Sequence, residues 1–76
     1  MKELLLYIAR SLVDHPDQVT VTEVENGDEL TLELRVAPED MGKVIGRQGR
    51  IAKEIRTLVK SKAMRENKHV TVDIVD

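Results

Sequence analysis

The chain has no cysteine, tryptophan or phenylalanine, and its single aromatic residue is Tyr7. Without thiols it has no disulfide framework, thiolate metal site or cysteine nucleophile, so apolar packing must stabilise its 76 residues. One aromatic ring is too few for a sheet surface that stacks nucleobases. Histidine is scarce too: His15 and His69 lie far apart, His15 precedes a proline as turn residues do, and no metal or other cofactor is expected. Long hydrophobic runs are absent. The apolar stretch after Lys2 breaks at Arg10, too short for a signal-peptide core with its cleavage site or for a membrane span. These absences point to a soluble, cytoplasmic protein. Its length fits one domain over residues 1–76, since chains of about 60 residues already bury about 60% of their unfolded surface.

A net charge of −2 argues at first against a polyanionic partner, but the average hides a division. Between Lys43 and Arg65 there are eight basic residues and one acid, Glu54, a local charge of +7 that leaves −9 for the remainder. Charged residues also make ordinary solvated helix faces, so this segregation gains meaning only with the motif it surrounds.

Leu4, Leu5, Ile8, Ala9 and Leu12 recur at helical spacing and predict an amphipathic helix from Lys2 to about Val13, stopped by Asp14-His15-Pro16-Asp17. Val19 to Glu25 and the strict alternation Leu30, Leu32, Leu34, Val36 predict two strands, paired antiparallel through a tight turn at Asn26-Gly27. The phase slip from Val19 and Val21 to Val24 marks either a bulge or the strand end. Ala37-Pro38-Glu39-Asp40 has the proline and acids of a first helical turn, predicting a short helix from Glu39 to Ile45. A longer helix follows from Arg50 to Glu66, and His69 to Val75 alternates as a third strand. The order is αββααβ. A helical crossover between the second and third strands makes them parallel and covers one face of a three-stranded mixed sheet, leaving Thr31, Glu33, Arg35, Thr71 and Asp73 on the open face.

Between the two central helices stands Gly46-Arg47-Gln48-Gly49. Glycines permit a sharp turn and close approach of another backbone, and the following helix directs its unpaired N–H groups to the same place. Arg47, Arg50 and Lys43 add positive charge there, and Ile45 and Ile51 can wall a groove beside it. No lysine-serine or lysine-threonine pair follows the glycines, which excludes a nucleotide-hydrolysing phosphate loop, and nothing else in the chain suggests an enzyme.

The run Val44 to Gly49, continued by Arg50-Ile51-Ala52-Lys53-Glu54-Ile55-Arg56, resembles the signature of the KH domain, and the αββααβ order is similar to its type II, bacterial form. With Val36 to Lys43 leading into it, the chain closely resembles the small bacterial KhpA (YlqC-type) RNA-binding family over essentially its whole length. The resemblance implies an α+β type II KH fold with a cleft, between the Gly-x-x-Gly loop with its flanking helices and the edge strand, for about four unpaired nucleotides of single-stranded RNA. By position, Gly46 and Gly49 would shape the loop, Arg47 and Gln48 would face phosphates, Ile45 and Ile51 would lie under the bases, and Lys43, Arg50 and Lys53 would support the backbone track. It further implies an RNA-chaperone role in post-transcriptional control, with a KhpB (Jag-like) KH partner, and an effect on cell shape and envelope growth. Alanine at 52 departs from the larger aliphatic common in KH domains and bears on binding strength.

A protein-interaction scaffold that keeps the KH fold is the competing reading, and an acidic loop would have favoured it; DNA binding is a weaker third. Leu6, Tyr7 and Val13 fall outside the main stripe of the first helix, and Lys62 lies in the apolar arc beside Leu58 and Ile51. A dimer interface through Ile51, Leu58 and Lys62 is therefore expected, homodimeric or with a KhpB-like chain. Alternatively Leu58 is core and Lys62 snorkels.

Overall fold

Apolar residues one turn apart open the chain as helix α1 (Lys2–Leu12), which ends before Pro16 removes a backbone donor. The computed structural model describes residues 1–75. After a 3₁₀ turn at Pro16–Gln18 come strands β1 (Thr20–Asn26) and β2 (Glu29–Arg35), then helix α2 (Met41–Ile45), helix α3 (Arg50–Arg65) and strand β3 (His69–Ile74). The sheet order is β1-β2-β3, with β1 antiparallel and β3 parallel to the central strand. This is the α+β, type II KH architecture expected from the element order.

Three local expectations are corrected. The hairpin turn is Gly27-Asp28 rather than Asn26-Gly27, because Asn26 pairs with Glu29 and only Gly27 takes positive φ (65°). Glycine at the first of two turn positions is the type II′ pattern, which matches the strand twist. The β1–β2 register runs unbroken from Thr20↔Arg35 to Asn26↔Glu29, so Val24 marks neither a bulge nor a strand end; it lies on the open face, opposite Thr31. The segment before α2 is a 3₁₀ turn at Pro38–Asp40, and the α-helix starts only at Met41. There the Asp40 carboxylate turns inward to accept the backbone N–H groups of Asp14 (3.3 Å) and His15 (3.0 Å).

The core lies between the helices and one sheet face. Leu5 and Ala9 of α1, Leu32 and Leu34 of β2, and Ile55, Val59 and Ala63 of α3 are buried in it. A leucine fully buried in this way contributes about 1.5–3 kcal/mol. The rotation of α1 differs from its hydrophobic stripe: Leu6 and Val13 pack against the core, whereas Leu12 is exposed. The C-terminal end of α3 is closed by Asn67 at φ 57°, with Lys68 N–H donating to Ala63 C=O and Asn67 N–H to Met64 C=O. That paired bonding is a Schellman cap, and it turns the chain into β3.

Candidate functional site

Gly46, Gln48 and Gly49 all take positive φ, so the link between α2 and α3 folds back within four residues. The Gly46 N–H donates to Gly42 C=O at 2.8 Å and ends α2; the Gly49 N–H donates to Gly46 C=O at 3.2 Å and closes the loop. Gly46 lies at φ 76°, ψ 175°, a region essentially reserved for glycine. A Cβ there would come within 2.6 Å of the Ile51 side chain, which packs beneath the turn. Gly49 (φ 74°, ψ 14°) has open space at its Cβ position, leaving its backbone approachable from outside. Arg47 and Gln48 are exposed between them. The first amides of α3 have no side-chain cap, so donors and the positive end of the helix dipole face the loop.

Arg47, Arg50 and Lys53 are exposed, and among the described residues none has a carboxylate within 4.0 Å. Lys43 is different. Its Nζ lies 2.9 Å from Asp14 Oδ2 and 3.6 Å from Asp40 Oδ1, so its charge is already matched on the side of α2 that meets the end of α1. The Asp14 hydrogen bond and charge, opposed by burial and aided by Asp40, raise the Lys43 ammonium above its ordinary 10.5. Burial alone would raise the Asp40 carboxyl, yet the Asp14 and His15 N–H groups and the charges of His15 and Lys43 hold it below 3.8. Sequence spacing gave no sign of this clamp, since its partners are 25 and 26 residues apart.

Ile45 is partly exposed beside the loop. Ile51 reaches the other way as well: with Ile8 and Leu12 of α1 and Leu58 of α3 it lines a groove between the two helices. Leu58 is 54% exposed, so it lies outside the core. Lys62, one turn on, is exposed and holds Glu66 at 3.4 Å. A residue that spacing did not single out is Arg56, whose Nε donates to Val72 C=O at 3.2 Å and bridges α3 to the outer edge of β3.

A family model described as KhpA/KhpB, KH domain, matches residues 2–74. The RNA-binding protein KhpA of Clostridium acetobutylicum is 63% identical over 75 residues, which cover 99% of this chain and 100% of that protein. The protein of the same name from Listeria monocytogenes is 49% identical over 76 residues, covering 100% of both chains. Among solved structures, Aquifex aeolicus Era bound to GDP·AlF4− matches with a TM-score of 0.66 at 20% identity over 96% of this chain. That likeness is one of fold, and the chain spans 28% of the Era chain's length. Among the described residues, no helix is long and apolar enough to cross a membrane.

Proposed function

The chain belongs to the KhpA/KhpB KH-domain family, and from that premise we propose that it binds single-stranded RNA by gripping the sugar-phosphate backbone with the Gly46-Arg47-Gln48-Gly49 loop. The observation that carries the reading is the loop itself: two exposed side chains, Arg47 and Gln48, held between glycines at positive φ beside the uncapped start of α3. Arg50 and Lys53 extend the charge along the backbone track, and Ile45 with the Ile51 side chain beneath the turn forms its apolar floor. Lys43 contributes less than its position in the sequence implied, because Asp14 and Asp40 already hold its ammonium.

The test is Arg47→Asp with Gln48→Asp. Both positions are exposed, the turn glycines are untouched, and two carboxylates facing phosphate repel it. Filter binding is expected to show loss of RNA affinity with an unchanged circular dichroism spectrum. A folded double variant that binds RNA like the wild type removes the loop from the mechanism.

Dimerisation accompanies this reading, favoured by Leu58 on an apolar groove with Ile8, Leu12 and Ile51. A single KH site reads few nucleotides, and linking two sites raises affinity without new contacts. The family resemblance supports a cytoplasmic RNA chaperone, one KH domain per chain, paired with itself or with a KhpB/Jag-like protein in post-transcriptional control of cell shape and envelope growth.

A further inference from the structure

Helix α2 carries the loop and is too short to place itself. It spans only Met41–Ile45, and isolated helices of fewer than about 12 residues are marginal in water. Because the Gly46 N–H donates to Gly42 C=O, the start of the loop is continuous with the last turn of α2, and the direction of the helix sets the direction of the loop. Two buried side chains hold this segment: Val44 in the core and Asp40 at its entry, both at 0% exposure. One helical turn apart, they lie on the same face, about 6 Å from each other along the axis.

Asp40 stands at the N-cap of α2, where an aspartate ordinarily accepts an amide of its own helix. It makes no such bond. Its carboxylate leaves the helix instead: Oδ1 accepts the Asp14 N–H at 3.3 Å and Oδ2 accepts the His15 N–H at 3.0 Å, both in the link between α1 and β1. Lys43 closes the arrangement into a ring, with Nζ 3.6 Å from Asp40 Oδ1 and 2.9 Å from Asp14 Oδ2. Among the described residues, Asp40 is the only charged side chain that is buried. Stability alone does not call for it, since apolar groups in place of a buried ion pair are often neutral or stabilising. What the carboxylate adds is direction, because two N–H donors from adjacent residues of a distant segment restrict the orientation of the chain that bears it.

We infer that Asp40 is a positioning residue for RNA binding: by tying the entry of α2 to the α1–β1 link, it sets the direction in which the Gly46–Gly49 loop is presented. The inference rests on the loop reading above and adds to it a residue that touches no RNA. Lys43, held by both carboxylates, serves the same tether. With Asp40 released, α2 keeps a single anchor at Val44 and swings about it. A smaller fraction of molecules then presents the loop correctly, and apparent affinity falls with that fraction.

The experiment compares the wild type, Asp40→Asn and Arg47→Asp/Gln48→Asp on an unstructured RNA of about four nucleotides, over a range of salt and at a temperature where circular dichroism shows the chains folded. Asparagine keeps the size of the side chain and removes a negative charge, so electrostatics by itself predicts equal or tighter binding, whereas lost positioning predicts weaker binding. Asp40→Asn is expected to bind about fivefold or more weakly. Its salt slope should match the wild type, because no phosphate contact is removed; losing one would make the slope shallower by about 0.7. Affinity at or above the wild-type value in a folded Asp40→Asn chain overturns the inference, and so does a slope shallower by that amount. In both cases the loop reading stands if Arg47→Asp/Gln48→Asp has lost the RNA. Binding that survives in the loop variant removes the loop reading and this inference with it. Should Asp40→Asn fail to fold, the wild type decides: by linkage, RNA must strengthen a tether that favours its binding. Saturating RNA is then expected to slow hydrogen exchange at the Asp14 and His15 amides relative to those of the β1–β2 hairpin, and unchanged relative protection overturns the inference.

Discussion

Gly46 and Gly49 look equivalent as letters and differ as structural positions. An alanine at Gly46 meets both a backbone region that L residues avoid and an Ile51 carbon at 2.6 Å; at Gly49 it meets left-handed strain in open space. Gly46→Ala is therefore expected to cost at least ~1–3 kcal/mol from strain, with the Ile51 contact added, and Gly49→Ala about 1–2 kcal/mol. Urea unfolding of the two variants checks the order, and a Gly49→Ala variant that is the less stable of the two contradicts it. Asp40 is the other residue whose role is conformational. Its folded-state carboxyl is held below 3.8, so it adds stability above the ordinary carboxylate range, lost as pH falls through the depressed value. Asp40→Asn should lower the melting temperature at neutral pH and leave little difference from the wild type in strong acid. A constant gap across pH would mean that the carboxylate's charge has no part in the clamp.

At the scale of elements, α3 presents three sides with different tasks. Ala52, Ile55, Val59 and Ala63 face the core, Arg56 faces the β3 edge, and Ile51 and Leu58 face the groove along α1. A half-exposed leucine tolerates charge in the monomer, since substitutions away from the core generally stay within ~0.5 kcal/mol. Leu58→Asp should thus remain folded by circular dichroism and run as a monomer by light scattering, whereas Ile55→Asp, buried at 2% exposure, should unfold. An unfolded Leu58→Asp chain returns that residue to the core; a wild type monomeric at high concentration ends the homodimer.

Over the whole molecule, positive charge is segregated between Lys43 and Arg65 rather than in net excess, so on the proposed function attraction for a polyanion would come from that segment of a chain that is acidic on average. On a tetranucleotide, with two to four backbone contacts at the loop and first helical turn, log K against log[salt] should fall with a slope of about −1.5 to −3. Binding insensitive to salt contradicts an electrostatic grip.

Much of this was legible in the sequence because it is encoded locally. Helical spacing, alternation in β2, the proline stop and the glycine pair each depend on neighbours a few residues away, and together they gave the αββααβ order and the loop between α2 and α3, while the type II KH fold followed from the resemblance of that loop and its flanks to the KH signature. The charge division was equally plain. What tertiary structure alone decided depends on partners distant in the chain. An apolar stripe permits a range of helix rotations, and packing against the sheet and α3 chose the one that partly buries Val13 and Leu6 and exposes Leu12. Asp40 reads as a helix-start acid until the amides of Asp14 and His15 are folded against it, and Lys43 reads as a free cation until Asp14 arrives beside it. Arg56 is one base among eight until the crossover sets β3 beneath it. Local periodicity dictates which face a residue can occupy; only the packed neighbours determine what that face meets.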